Sequence, residues 1–327
     1  MQSEFFDNKR REFVKNSTKL ALAGVAVGAG ISPLLAKDSN KNSKNKGAKM
    51  EFVKLNNGVK MPKLGYGVFQ IEGKQCEQCV LDALEVGYRL IDTAQAYYNE
   101  EFVGNAIRQS QIARSEIFIT TKVWVSEHNY EKAKKSIEKS MEKLQVDYVD
   151  LVLIHQALGD YYSAYRAMID LYKEGKIKAI GISNFSSERM ADLTRFSEVV
   201  PAVNQVETHP FFQQYELNSW MKKLNIQHEA WGPLAQHRIK EIINNDIFKK
   251  CAKKYGKTAP QIALRWLMQR DIVAIPKTAN KARMKENFDI FDFSLDKAEM
   301  EQIRTLDENK SMWLEYNDPN IVDMAMS

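Results

Sequence analysis

Residues 149–183 read VDLVLIHQALGDYYSAYRAMIDLYKEGKIKAIGIS, and this stretch decides the fold. Val149–His155 is an apolar run rich in Val, Leu and Ile with Asp150 near its start, and Ile177–Ser183 is a second with Lys178 near its start. A half-buried strand alternates apolar and polar residues. A run that stays apolar over several residues marks a strand covered on both faces, as in a parallel sheet flanked by helices. Between the two runs, Ser163–Glu174 carries its apolar residues at helical spacing. Strand, helix and strand in this order form the unit of a parallel sheet.

The same unit recurs on both sides. Further strand runs are Leu64–Gly67, Tyr88–Asp92, Ile117–Lys122, Ala202–Gln205, Ile226–Ala230 and Ile272–Pro276, eight in all with the first two. Tyr130–Leu144 and Thr258–Gln269 are further helical patterns. Eight βα units suggest closure into a (β/α)8 barrel, and a single barrel domain of ~250 residues is ordinary for this architecture. An open doubly wound sheet would carry G-x-G-x-x-G between its first strand and helix. Here Gly24, Gly28 and Gly30 lie far upstream of any strand. Val53–Leu55 and Val59–Met61, joined through Asn56-Asn57-Gly58, read as a hairpin able to plug the barrel bottom.

The chain has 327 residues, 44% hydrophobic and 27% charged, with a formal charge of +5. That charge belongs to the start. Residues 1–49 hold 10 Lys/Arg against 4 Asp/Glu, and the remainder holds 37 against 38. No nucleic-acid surface is expected from so balanced a body. Three cysteines, Cys76, Cys79 and Cys251, do not make a disulfide framework. Cys76 and Cys79 form a C-x-x-C pair within a helical pattern and without a thioredoxin-like setting, so they read as ordinary helix residues. The histidines show no metal-ligand grouping, and no metal is expected. No long apolar surface stripe is evident, and a monomer is expected.

Residues 1–36 read as a detachable leader and 37–49 as a flexible Lys/Asn/Ser-rich linker, leaving 50–327 as the barrel. Arg10-Arg11 precede Phe13-Val14-Lys15 and a mild apolar stretch from Leu20 to Ala36. This resembles a bacterial twin-arginine signal and implies a periplasmic or exported protein handled by the twin-arginine machinery. The stretch is short of the roughly 20 strongly apolar residues of a stable membrane span. A cytoplasmic protein with a disordered basic leader, or one anchored by an uncleaved leader, stays open, because Leu34 stands where cleavage before Lys37 wants a small residue.

Polar residues gather where the strands end. Asp92 ends the second, Lys122 the third, His155 the fourth, Ser183-Asn184 the fifth and Gln205 the sixth. Trp231 follows the seventh and Lys277 the eighth. A barrel brings these ends to one face, where active sites of this architecture lie. Taken singly, each has an ordinary explanation: the Asp as a helix cap, a lone Tyr or His as core. Their recurrence at strand ends is the signal.

The segments LIDTAQAYYNEEFVGNAI, ITTKVW, LVLIH, GKIKAIGISNF, AVNQVETHP and IPKTANKARMKEN resemble the hallmarks of the aldo-keto reductase superfamily, over Val53 to Asp307. The resemblance implies a (β/α)8 barrel that binds NADPH and reduces a small carbonyl substrate. It implies Asp92, Tyr97, Lys122 and His155 as the catalytic set. Delivery of a hydride from nicotinamide needs a matching proton on oxygen, and Tyr97 would supply it. A free phenol has a pKa of about 10, and the ammonium of Lys122, itself held by Asp92, would lower it. His155 would orient the substrate oxygen.

For the cofactor, the resemblance implies Ser183, Asn184 and Gln205 on the nicotinamide carboxamide and Trp231 stacked on the ring. Gly232 and Leu234 would line the pyrophosphate path. Lys277, Thr278 and Arg283 would hold the 2′-phosphate, which favours NADPH over NADH, and Glu286 and Asn287 the adenine. Phe69, Tyr98 and Trp124 would line the substrate mouth. His209 reads as structural. Departures are Gln156-Ala157 after the L-I-H strand end, where the family usually has Trp-Pro, and the unplaced tail 308–327, which could close over the pocket through Trp313. They point to the bacterial diketogluconate and small-aldehyde reductase branch. The alternative function is an NADPH-binding regulatory or sensor barrel with little turnover.

Overall fold

The computed structural model describes residues 50–312 and 319–322. The leader and linker (1–49) and Trp313 lie outside them. Among the described residues, an antiparallel hairpin of β1 (Phe52–Lys54) and β2 (Lys60–Pro62) precedes eight parallel strands. These are β3 (Tyr66–Gly67), β4 (Leu90–Asp92), β5 (Phe118–Val123), β6 (Val149–Ile154), β7 (Ile177–Ser183), β8 (Val203–Glu207), β9 (Gln227–Trp231) and β10 (Val273–Ala274). They hydrogen-bond in sequence order.

The helices between them are α1 (Gly73–Val86), α2 (Glu100–Gln109), α3 (Tyr130–Leu144), α4 (Tyr161–Lys173), α5 (Ser187–Phe196) and α6 (Tyr215–Lys223). Then follow α7 (Ile239–Asn244), α8 (Asp246–Tyr255), α9 (Ala259–Gln269), α10 (Lys281–Phe288) and α11 (Lys297–Arg304). The ring closes between first and last strands. Leu64 bridges Ala274, the Gly65 amide donates to Ala274 at 2.9 Å, and the Gly67 amide donates to the Pro276 carbonyl at 3.2 Å. The fold is thus the (β/α)8 barrel that the alternating pattern implied.

Two apolar layers result. The larger lies between strands and helices, with Ile91, Ile119, Val152, Ile154, Ile180 and Trp266 among its members. The smaller fills the barrel, where Leu90, Leu151, Leu153, Val203 and Val273 meet Val53, Leu55 and Met61 of the hairpin. The turn is tied down as well: Asn56 Nδ2 donates to Pro201 O at 3.0 Å and Asn57 Nδ2 to Lys178 O at 2.9 Å. The hairpin therefore plugs one end of the barrel, leaving the other end for chemistry.

Boundaries differ modestly from expectation. The first and last strands pair over two residues each, shorter than Leu64–Gly67 and Ile272–Pro276, because the seam between them is held by a few isolated bonds. The sixth barrel strand runs on past Gln205 to Glu207, so Gln205 points into the barrel from mid-strand. Trp231 is the last residue of β9.

Candidate active site

The segment Asp92–Glu101 builds the centre of the site, and each polar residue in it has a mechanical task. Asp92 ends β4, fully surrounded. Thr93 Oγ1 donates to Asn99 Oδ1 at 2.6 Å, and Asn99 Nδ2 donates to the carbonyls of Val68 (2.9 Å) and Ile71 (3.0 Å). Gln95 Oε1 accepts from the Trp124 amide at 3.0 Å. Glu100 Oε1 accepts from Thr121 Oγ1 at 2.7 Å. This lattice folds the chain into a single 3-10 turn, Gln95–Tyr97, that aims Tyr97 back over the barrel mouth.

Lys122, fully buried on β5, donates to Asp92 Oδ1 at 2.6 Å, to the Thr93 carbonyl at 2.9 Å and to the Tyr97 hydroxyl at 3.4 Å. Burial opposes its charge, but Asp92, Tyr97 and Glu229 outweigh that and hold its pKa above the ordinary lysine value. It is an ammonium at any neutral pH. The His155 ring meets Tyr97 edge-on at 5.7 Å and Trp124 at 5.0 Å, and Phe69 lies 4.9 Å from the Tyr97 ring. Asp92, Tyr97, Lys122, His155, Phe69 and Trp124 thus stand together; Tyr98, in a left-handed conformation, follows Tyr97 at the rim.

One expectation is corrected. The pKa of Tyr97 is raised, not lowered. Burial is the largest cause, Lys122 pulls the other way, and the negative charges of Asp92 and Glu229 push it up again. Lys122 lies 2.6 Å from Asp92 and 3.4 Å from the Tyr97 hydroxyl, and its pull on the phenol does not overcome burial. The phenol consequently stays protonated, which is the form an acid must have.

The residues expected at the nicotinamide converge from three strands. Ser183 Oγ donates to the Gln205 carbonyl at 2.9 Å. Asn184, at φ 62°, donates through Nδ2 to the His155 carbonyl at 3.1 Å and accepts from Trp231 Nε1 at 2.9 Å. The indole N–H of Trp231 therefore fixes its ring plane to the same asparagine. Gly232, at φ 61°, turns the chain away toward Leu234.

At the far end, Lys277 follows β10, and Arg283 stands in the first turn of α10, beneath an Asn280 cap. Both are exposed, and neither makes an ion pair among the described residues, unlike Lys281, which binds Asp82 and Glu85. Cations without carboxylate partners suit an incoming phosphate. Thr278 lies between them, its hydroxyl accepting from the Asn280 amide at 3.2 Å. Asn287 is buried on α10, while Glu286 accepts from the Thr258 hydroxyl at 2.6 Å and so also serves the neighbouring helix cap.

Sequence reading missed several parts. Glu229 lies wholly buried beneath Gln205; a single Glu within QHEAW gives no periodic signal. His128 Nδ1 contacts Leu158 O at 2.6 Å and so holds the short loop after Gln156-Ala157. Glu207, at the end of β8, bonds His209 Nε2 (3.0 Å), the Met312 amide (2.9 Å) and the Ser311 hydroxyl (2.5 Å), which ties down the start of the tail. Further on, Ile321 is buried in a small crevice beside Gln156, Ala157, Asn184 and Arg189. Cys76 and Cys79 are buried in α1, and burial pushes the Cys76 thiol up to about 12, leaving it no thiolate at neutral pH.

A closed barrel with a lysine-backed tyrosine at its open end and a cradle of amides, one indole and two cations without carboxylate partners among the described residues defines a barrel oxidoreductase of the nicotinamide-dependent class. The chain belongs to the Aldo/keto reductase family, whose profile matches residues 63–308. It is 45% identical to a glyoxal reductase of Bacillus subtilis (strain 168) over 260 residues, 79% of this chain and 93% of that protein. An aldo-keto reductase from a Medee basin deep-sea metagenome library superposes with a TM-score of 0.80 at 47% identity, covering 81% of this chain and 98% of its own. An aldo-keto reductase complexed with NADPH, AKR2E5, superposes with a TM-score of 0.77 at 32% identity, covering 81% and 90%. The protein is an NADPH-dependent oxidoreductase that reduces carbonyl groups.

Proposed function

We infer that Tyr97 is the proton donor of this reduction and that the substrates are small aldehydes and 1,2-dicarbonyls. The observation that carries the first part is Lys122, held at 2.6 Å by Asp92 and reaching the Tyr97 hydroxyl at 3.4 Å. Bound NADPH supplies the hydride. Tyr97 gives its proton to the alkoxide as that charge forms, and Lys122 stabilises the phenolate left behind, which is where its field counts. His155 donates to the substrate oxygen and sets the angle of approach. Ser183, Asn184 and Gln205 hold the carboxamide, Trp231 the ring face, and Gly232 and Leu234 line the diphosphate. Lys277, Thr278 and Arg283 hold the 2′-phosphate, with Glu286 and Asn287 near the base.

An aromatic mouth of Phe69, Tyr98 and Trp124 suits compact substrates, and the likeness to a glyoxal reductase supports dicarbonyls. The test is NADPH consumption by the chain from residue 50 against glyoxal, methylglyoxal and larger aldehydes. Turnover confined to bulky substrates would overturn the substrate class.

The leader supports export of the finished barrel. Twin-arginine transport carries folded proteins, so a barrel closed around its cofactor in the cytoplasm would leave with it. Among the described residues no helix is long and apolar enough to cross a membrane. Cell fractionation tests this reading: full-length chain found only in the cytosol, leader intact, would remove it.

A further inference from the structure

The barrel interior holds a second carboxylate. Glu229 lies on β9, wholly buried and in register with Gln205 on β8 and Val273 on β10. Gln205 Nε2 carries two hydrogens. One is given to Asp92 Oδ2 at 2.8 Å and the other to Glu229 Oε2 at 3.0 Å. Two acidic groups claim the whole donor side of this amide, which settles its flip and leaves Oε1 as the group offered to a ligand. The Asp92–Gln205–Glu229 bridge spans three strands of the barrel wall.

Charges around Glu229 are few. Asp92 faces it from β4, Lys122 from β5, and Tyr97 from the turn above; β10 on its other flank contributes Val273 and Ala274, which do not titrate. Two carboxylates therefore share one ammonium out of contact with water. Ionising both leaves one uncompensated negative charge in a low-dielectric interior, which is strongly disfavoured. Burial first, then Asp92, pushes Glu229 up to about 8, against the opposing pull of Gln205 and Lys122. Its Oε1 has no hydrogen-bond partner among the described residues.

We propose that Glu229 is a positioning residue that couples one proton to the oxidation state of the cofactor, staying neutral beside reduced nicotinamide and ionising beside the oxidised, cationic ring. The proposal rests on the cofactor reading above, which seats the ring against Gln205 and Trp231. No bond to the cofactor forms and no electron moves. The proton leaves the carboxyl for solvent when NADP+ is bound and returns when NADPH replaces it.

The test is the ratio of NADP+ to NADPH dissociation constants between pH 6 and 10, read by tryptophan fluorescence on the full chain. Ionisation of the 2′-phosphate is common to both forms and cancels in the ratio. In the native protein, NADP+ is expected to tighten relative to NADPH as pH rises, by about tenfold for each unit that the ring lowers the Glu229 pKa. Calorimetry at pH 7 in two buffers of different ionisation enthalpy should show close to one more proton released with NADP+ than with NADPH. Glu229→Gln keeps an oxygen for Gln205 and should flatten the ratio, with Glu229→Leu as a second variant. A flat ratio in the native protein overturns the proposal, as does an undiminished slope in Glu229→Gln, which would assign the proton to Asp92, Lys122 or Tyr97. Failure of both cofactor forms to bind would instead overturn the cofactor reading and this proposal with it.

Discussion

Tyr97→Phe removes one oxygen and leaves the ring against Phe69 and His155. Carbonyl reduction should fall by roughly 100- to 10,000-fold, the usual worth of a positioned acid, while NADPH still binds. Fluorescence titration beside steady-state rates checks both halves. Glu229 also sets a stability trend. Its folded pKa, about 8, lies above its ordinary 4.5, so the native state holds a proton that the unfolded chain has lost. That contribution is complete below pH 4.5 and declines as pH rises toward 8. Glu229→Gln cannot ionise, so its melting temperature relative to the native protein should rise between pH 6 and 9. An unchanged difference over that range would refute the assignment. The grouping of Asp92, Tyr97, Lys122 and His155 was legible because a known pattern runs through them. Glu229 was not, since its meaning comes from Gln205 and Asp92, more than 20 and 130 residues away in the chain.

Helices and strands were read from periodicity, and the agreement is closest where local chemistry marks the ends. For α3 the helical pattern and the observed Tyr130–Leu144 coincide, with Asn129 accepting from the amides of Glu131 and Lys132. At α9, Thr258 and Gln261 form a reciprocal capping box, and the Thr258 hydroxyl also reaches Glu286. Thr258→Ala should cost about 1 kcal/mol by urea unfolding. The first barrel strand was harder, because its pairing depends on the distant last strand. Close packing of neighbouring helices is likewise invisible in sequence. A Cβ on Gly104 of α2 would stand 2.6 Å from the Leu144 carbonyl oxygen at the end of α3. Gly104→Ala must therefore push two helices apart, at about 1–3 kcal/mol, and a Tm equal to the native value would show that α3 yields freely.

At the scale of the molecule, ligand binding is the readout. NADPH at a hundredfold excess over its dissociation constant should stabilise the barrel by about 2.7 kcal/mol and raise the melting temperature by several degrees. NADH at the same concentration should do less. Replacing Lys277 and Arg283 together by Ala should erase the difference between the cofactors; a preference that survives would place the phosphate elsewhere. The fold class and the face bearing the site were both legible, as eight apolar runs with polar ends allow little else. The course of the tail was not, because Glu207, which anchors it, reads as one more strand residue.

The seam of the barrel has a consequence for biosynthesis. Gly65 and Gly67, among the first barrel residues made, bond to Ala274 and Pro276, among the last. Until Ala274 and Pro276 have left the ribosome, β3 has no partner on that side and the ring stays open. Lys277 and Arg283, the proposed phosphate cations, emerge at the same late moment. Capture of the nucleotide should therefore await the eighth barrel strand, and a nascent chain stalled before Ala274 should bind none.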